Sequence, residues 1–389
     1  MRIALIGTRG VPARYGGFET CVEEVGARLA GAGHEVTVYC RSSRTGADAR
    51  LESYRGMDLV HLPAVPQRHV ETLSHTGLSV GHVLRRSTDA AIVFNAANSP
   101  MLPLLRARGI PVATHVDGLE WKRAKWGGGG RRYYRAAESL AVRWSDALIA
   151  DAAGIADYYT TEFGVDTELI RYGAPIVEAG DPAVLEAVDL APGSYHLAVA
   201  RFEPENHVDI IVEGYSKSSA DAPLVVVGAA PYADAYTRRV HDAADDRVRF
   251  LGAVWDQDLL DQLYANCITY QHGHSVGGTN PSLLRAIGAG AATDAFDVGF
   301  NREVLGSCGR YWSTPDDIAP LFESAEADTD TIAARGSASR TRAGDYDWDD
   351  VAREYESLCE GLRDGSLRRS GASGRRVSAS ADLTLATVR

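Results

Sequence analysis

Arg2-Ile-Ala-Leu-Ile-Gly-Thr-Arg-Gly-Val-Pro-Ala-Arg-Tyr-Gly-Gly-Phe-Glu-Thr-Cys-Val-Glu-Glu-Val-Gly-Ala-Arg-Leu-Ala-Gly-Ala-Gly33 opens on a short apolar run, breaks into glycines and then resumes at a different period. Cys21, Val22, Val25 and Leu29 recur at helical spacing, and Gly33 stands where a helix C-cap glycine is expected. The next apolar run, Glu35–Cys40, is again strand-like. The stretch therefore reads as strand, glycine loop, helix, strand, the opening of an α/β fold with a parallel sheet covered on both faces.

The same alternation continues outward. Further strands are expected at Met57–Leu62, Ala90–Phe94, Val112–His115, Ala147–Ala150 and Leu169–Arg171. A second series starts after a turn-rich stretch, with strands near His196–Ala200, Leu224–Val227, Arg247–Leu251, Ile268–Gln271 and Ala291–Asp294. At 389 residues and 45% hydrophobic content the chain can bury two ordinary cores. The organisation expected is a first Rossmann-like lobe over 1–175, a hinge over 176–193, a second Rossmann-like lobe over 194–345 and an amphipathic helix over 346–362. The tail, 363–389, is rich in Ser, Gly and Arg and reads as disordered.

Composition excludes several functions. A net charge of −12 argues against a nucleic-acid partner, which calls for a basic face, so an anionic ligand must be held by local groups. The five cysteines are scattered, without a C-x-x-C pair, and indicate neither a disulfide framework nor a zinc site. No apolar segment reaches the roughly 18 residues of a membrane span, and the first apolar run is too short for a signal peptide. A cytoplasmic protein is expected.

The glycine loop that follows the first strand lets backbone N–H groups approach an anion or a sugar, although a turn needed only for folding would use the same glycines. Its spacing is not G-x-G-x-x-G, which disfavours a nicotinamide dehydrogenase, and G-x-x-x-x-G-K-[ST] is missing, which disfavours a Walker loop. Gly7-Thr-Arg-Gly-Val-Pro-Ala-Arg-Tyr-Gly-Gly-Phe-Glu19, Val116-Asp-Gly-Leu-Glu-Trp-Lys-Arg-Ala-Lys-Trp126, Glu203-Pro-Glu-Asn206 and His272-Gly-His-Ser-Val-Gly-Gly-Thr-Asn-Pro-Ser-Leu-Leu284 resemble the rhamnosyltransferase-like branch of glycosyltransferase family 4. These blocks fall in the expected order across residues 1 to about 360. The resemblance implies an α/β protein of the GT-B fold: two Rossmann-like, doubly wound lobes with a cleft between them. It implies a donor held mainly by the second lobe, an acceptor facing it from the first, and a last helix crossing back to the first lobe.

Carried over residue by residue, the resemblance implies that Arg201, after the first strand of the second lobe, contacts the donor diphosphate. A planar guanidinium fork suits that task, though a solvated surface Arg would look the same in sequence. Where many relatives share the load with a Lys five residues on, this chain has Asn206. Gly277-Gly-Thr-Asn280 resembles the donor loop. Asn280 is a good N-cap and Pro281 a good first helical residue, so free N–H groups would face the cleft, with Gly16, Gly17, Gly277, Gly278 and Thr279 around them. His272 and His274, at a strand end, are either donor contacts or satisfied core histidines, and H-x-H alone implies no metal.

The departure from the family is Arg285. Relatives carry there the second of two paired glutamates, a ribose acceptor, and the first of the pair reads here as Gly277. Arg has no acceptor and is disfavoured in an early helical turn unless an anion lies nearby. Either Arg285 helps hold the diphosphate of a donor whose ribose needs less recognition, which points to dTDP, or the site has decayed. In the first lobe Asp117, Glu120, Trp121 and Arg123 cluster at a strand end, with Arg14, Tyr15, Phe18 and Glu19 from the glycine loop as further acceptor contacts. Asp117 is the candidate with a direct part in the reaction, beside Arg201 and Arg285. Trp121 offers a flat face for a sugar and serves equally well as core. Asn301-Arg302-Glu303 resembles the stretch close to the transferred sugar.

The expected activity is retaining transfer of a sugar from a nucleotide-diphosphate donor to a hydroxyl acceptor, without a cofactor or metal. A 6-deoxyhexose such as L-rhamnose on dTDP is the expected donor. A polysaccharide, a glycolipid or a cyclitol-type natural product is the expected acceptor, with peripheral membrane contact where that acceptor is lipid-linked. Two rivals share the architecture: a non-catalytic partner protein, favoured by the Arg285 departure, and a sugar-nucleotide epimerase, which needs no acceptor.

Overall fold

The computed structural model describes residues 1–13, 16–42, 51–67, 70–116, 118–123, 126–177, 180–229, 234–368 and 372–377. The first lobe is built on eight strands: β1 (Arg2–Ile6), β2 (Glu35–Arg41), β3 (Ser53–Tyr54), β4 (Met57–Leu62), β5 (Ala90–Phe94), β6 (Val112–His115), β7 (Ala147–Ala150) and β8 (Glu168–Leu169). Their order is β3-β4-β2-β1-β5-β6-β7-β8, parallel throughout except that β3 runs against β4. The second lobe has β9 (His196–Val199), β10 (Leu224–Val227), β11 (Val248–Gly252), β12 (Tyr270–His272), β13 (Thr293–Phe296) and β14 (Arg310–Trp312), in the order β11-β10-β9-β12-β13-β14, all parallel.

Every residue of β5, β6, β7 and β10 is buried, because helices cover both faces of each sheet. The two short strands β3 and β14 had no readable alternation, and β12 and β13 begin about two residues later than their apolar runs suggest. Pairing to a neighbour, not apolarity, sets where such a strand starts. In both sheets the strand order reverses beside a central strand, β1 in one and β9 in the other. That is where an open parallel sheet offers a crevice at the carboxyl ends of its strands.

The first helix, Gly17–Gly31, buries Cys21, Val22, Val25 and Leu29. Each such Val or Leu contributes about 1.5–3 kcal/mol. The last helix, Trp348–Asp364, lies across it: Arg28 pairs with Asp349 at 2.6 Å, His34 with Glu356 at 2.7 Å, and the Cys21 thiol lies 3.6 Å from the Tyr355 hydroxyl. Val22 and Leu29 of the first lobe, Leu283 and Ile287 of the second, and Tyr355 and Leu358 of the last helix share one apolar cluster. The two sheets are therefore joined by a continuous core.

The expectation of a disordered tail needs correction for 372–377. Arg376 pairs with Glu138 at 2.7 Å and with Glu162 at 2.9 Å, and the Val377 amide donates to the Glu162 carbonyl at 2.7 Å. Composition could not foresee this. Glu138 is buried to 4% exposure on the Gly128–Trp144 helix, and its partner comes from a segment whose own sequence has almost no apolar content.

Candidate active site

The second lobe approaches the first through one loop. Asn280 caps the helix Pro281–Gly288, its side-chain oxygen accepting from the Ser282 amide at 3.0 Å and the Ser282 hydroxyl at 2.7 Å. The residues before it dock on the first lobe. Gly277 lies against Gly118 so closely that a Cβ on Gly118 would collide with its backbone, and a Cβ on Gly278 would collide with the Asp151 carboxylate. The Thr279 hydroxyl donates to the Asp151 carbonyl at 2.5 Å, and Gly17 lies against Pro281. Glu303, from the helix Gly299–Leu305, accepts from the Ala153 amide at 3.0 Å and pairs with Arg171 at 2.7 Å. Glycine at 118 and 278 is thus what permits the lobes to meet.

Beside this loop a set of charged and polar groups converges. His272 ends β12 and stacks on His274, ring centroids 4.5 Å apart and planes 15° apart. Burial pushes His272 down to about 3; burial, then His272, Arg201 and Arg123 hold His274 well below the ordinary range. Both imidazoles are therefore neutral near neutral pH. His272 Nε2 and His274 Nδ1 have no hydrogen-bond partner among the described residues, although Tyr270 reaches His272 Nδ1 at 3.1 Å. Arg123 pairs with Glu120 at 2.8 Å and lies 3.7 Å from Glu205, a second-lobe carboxylate buried to 7% exposure. The charges of two guanidiniums, Arg123 of the first lobe and Arg201 of the second, thus both act on His274, which stacks on His272.

Several expected contacts prove to hold the scaffold. Asn206 donates to the Arg201 carbonyl at 2.9 Å, fixing the loop on which Arg201 stands. Asn301 is fully buried and donates to the carbonyls of His274 at 3.0 Å and Phe296 at 2.9 Å. Glu19 accepts from the Arg9 amide at 3.0 Å, and Phe18 packs edge-on against Phe94 and His115. Glu120 also accepts from Trp126 Nε1 at 3.0 Å. Trp121 lies under the guanidinium of Arg135, 5.4 Å from its ring. Arg302 is not brought to the cleft: it is 53% exposed, pairs with Asp297 at 2.5 Å and lies over Tyr311. Arg14, Tyr15 and Asp117 fall outside the described residues.

Arg285 differs most from its sequence reading. Its guanidinium pairs with Asp261 of the neighbouring helix Gln257–Ala265, which also accepts from Gln257 at 3.0 Å. The helix carrying Arg285 has only eight residues, so Arg285 belongs to its last turn, where the dipole favours a cation. Arg285 stands at the wall of a cavity of about 170 Å³ between the lobes, lined also by Gly17, Leu260, Tyr264, Ser282 and Trp348. Arg285 therefore already shares its charge with Asp261. Sequence reasoning missed Asp261, Glu205 and Asp151. Only Asp151 carried a positional signal, since it directly follows a first-lobe strand, at the sheet end where ligands gather.

Among the described residues no group of three or more His, Cys, Asp or Glu side chains is placed to hold a metal ion, and no helix is long and apolar enough to cross a membrane. The glycosyl transferase 4-like domain matches residues 16–173. The chain is 26% identical to the GDP-mannose-dependent alpha-(1-6)-phosphatidylinositol monomannoside mannosyltransferase of Mycobacterium tuberculosis, over 93% of this chain and 99% of that protein. Among solved structures it resembles sucrose-phosphate synthase from Thermosynechococcus elongatus, with a TM-score of 0.80, 18% identity and coverage of 94% and 99% of the two chains. It also resembles Anabaena HepE in complex with UDP-glucose, with a TM-score of 0.74, 17% identity and coverage of 92% and 100%. The two lobes and cleft are the GT-B fold. Residues 16–173 are thus similar to a glycosyl transferase 4-like domain, and the chain as a whole is similar to nucleotide-sugar-dependent glycosyltransferases.

Proposed function

We propose that this glycosyltransferase transfers a sugar with retention from a nucleoside diphosphate to an acceptor hydroxyl, in the cleft between Arg201 and Arg123. The observation that carries the reading is the stacked neutral pair His272 and His274, with the charges of Arg201 and Arg123 acting on His274, beside the capped N-terminus of the helix Pro281–Gly288. A diphosphate suits such a place, since it accepts charged hydrogen bonds from Arg, neutral ones from imidazole N–H and others from free backbone amides. In the reaction the anomeric carbon–phosphate bond breaks while the acceptor oxygen bonds that carbon from the same face. The hydroxyl proton passes to the departing phosphate oxygen. Arg201 stabilises the charge that grows on the leaving group, and the docked lobes exclude water that would otherwise hydrolyse the donor.

The proposed donor is a 6-deoxyhexose such as L-rhamnose on dTDP. The cavity wall carries Arg285, and the carboxylate of its partner Asp261 is offset by that charge, which makes it a weaker acceptor for a ribose 2′-hydroxyl than a free carboxylate. A deoxyribose donor loses least in such a site. The similar proteins are described with other nucleotides, GDP-mannose for the mannosyltransferase and UDP-glucose for HepE, so the base must be tested directly. The test is turnover with dTDP-L-rhamnose, UDP-glucose and GDP-mannose against polysaccharide, glycolipid and cyclitol acceptors, with the anomeric configuration of the product read by NMR. Inverted product, or binding of no nucleotide sugar at all, would overturn the reading.

A further inference from the structure

We propose that Asp151 is a positioning residue for this transfer, which seats the loop Gly277–Asn280 of the second lobe on the end of β7 and so sets the closed arrangement of the cleft. That the loop serves the donor rests on the function proposed above; that it docks on Asp151 does not.

Contacts from several elements converge around Asp151. Asp151 is 3% exposed, and its Oδ1 has no hydrogen-bond partner among the described residues. The carboxyl fills the space that a side chain at 278 would need, and its main-chain carbonyl takes the Thr279 hydroxyl. Two residues further on, the Ala153 amide is held by Glu303 of the second lobe. Each of these bonds crosses between the lobes, so separating them exposes Asp151 to water and returns it to an ordinary environment.

That coupling gives the contact a pH dependence. Burial, reinforced by the negative charge of Glu303, raises the Asp151 carboxyl to about 7, with the amides of Asp151 and Thr279 pulling the other way. The other titratable groups packed nearby stay neutral. Burial pushes the Cys21 thiol of the first helix up to about 12, and the Tyr355 phenol of the last helix well above its usual value. Glu303 remains paired with Arg171. Between the ordinary carboxylate range and about pH 7 the closed form therefore binds one more proton than the open form. Closure is favoured below pH 7 and lost as pH rises through 7. From pH 6 to pH 8.5 the closing constant should fall about tenfold.

Hydrogen exchange of the full chain without nucleotide tests this, with intrinsic exchange rates divided out. In wild type the amides of 277–280 should lose about tenfold in protection between pH 6 and pH 8.5. Asp151→Asn, which keeps the shape and cannot ionise, should show no such change. Glu303→Gln, which removes the facing charge, should move the midpoint to lower pH. Constant wild-type protection, or an equal loss in Asp151→Asn, would overturn the proposal, as would an unmoved midpoint in Glu303→Gln. A loop that switches in a chain that transfers no sugar would sink the functional reading and leave this one standing. Sugar transfer with a pH-independent loop would do the reverse.

Discussion

Arg285, at the wall of the inter-lobe cavity, forms an ion pair with Asp261 of the neighbouring helix, with side chains 22% and 25% exposed. The pair explains how a cation is tolerated where the family resemblance implies a carboxylate: a second carboxylate has moved in beside it. At that exposure the pair itself contributes at most about 1 kcal/mol. Arg285→Glu sets two carboxylates side by side, which frees an acceptor for a ribose hydroxyl. Calorimetry with dTDP and UDP should then show the preference moving toward UDP by about 1 kcal/mol or more. Equal tightening of both nucleotides would mean that neither the pair nor the ribose sets nucleotide choice.

Arg201→Ala should leave the melting temperature nearly unchanged, because Asn206 bonds the Arg201 carbonyl, which the substitution keeps. It should cost about 1.5–3 kcal/mol of donor or transition-state binding through a lost charged hydrogen bond. Steady-state kinetics with unaltered kcat and KM would show that Arg201 does not touch the donor.

Transfer should survive EDTA. The charges expected at the leaving group are arginine side chains and helix amides, and the second lobe's D-x-D pairs, Asp256-Gln-Asp258 and Asp328-Thr-Asp330, open helices whose N-caps are Asp256 and Asp328. Activity lost on chelation and restored by magnesium or manganese would contradict this.

Stability should fall on acidification below pH 6.5. His115 lies between Phe94 and Tyr172, and burial lowers it to about 3; burial likewise lowers His75 to about 4 and His272 to about 3. Each has a folded value below its unfolded one, so its contribution is present above pH 6.5 and is lost as pH falls toward 3. Each steepens the loss by up to about 1.4 kcal/mol per pH unit. Denaturant titrations of His115→Phe across pH 4–7 should show a shallower slope by about that amount, and an unchanged slope would refute the assignment.

Arg376→Ala should destabilise the chain by about 3 kcal/mol, since it strands Glu138, a carboxylate whose pKa burial already raises. Adding Glu138→Gln should recover most of the loss by removing the stranded charge. Urea midpoints measure both, and additive losses would show that the two side chains do not depend on each other.

The sequence by itself determined the parallel sheets, the helix that opens at Pro281 and the place of the cleft. Apolar periodicity, glycine breaks and an Asn-Pro cap are local signals that survive without knowledge of any partner. Tertiary structure alone decided what the charged residues do. Arg285 found Asp261 on another helix, Arg302 was turned to the surface, and Thr279 was tied to Asp151, 128 residues away in the chain. A side chain's charge is written in its own residue, but the partner that neutralises it, and the water it loses, follow from which strand ends the two sheets bring face to face. For that reason the sequence placed Asp151 at a strand end, but only the second lobe lying over it makes it a buried acid.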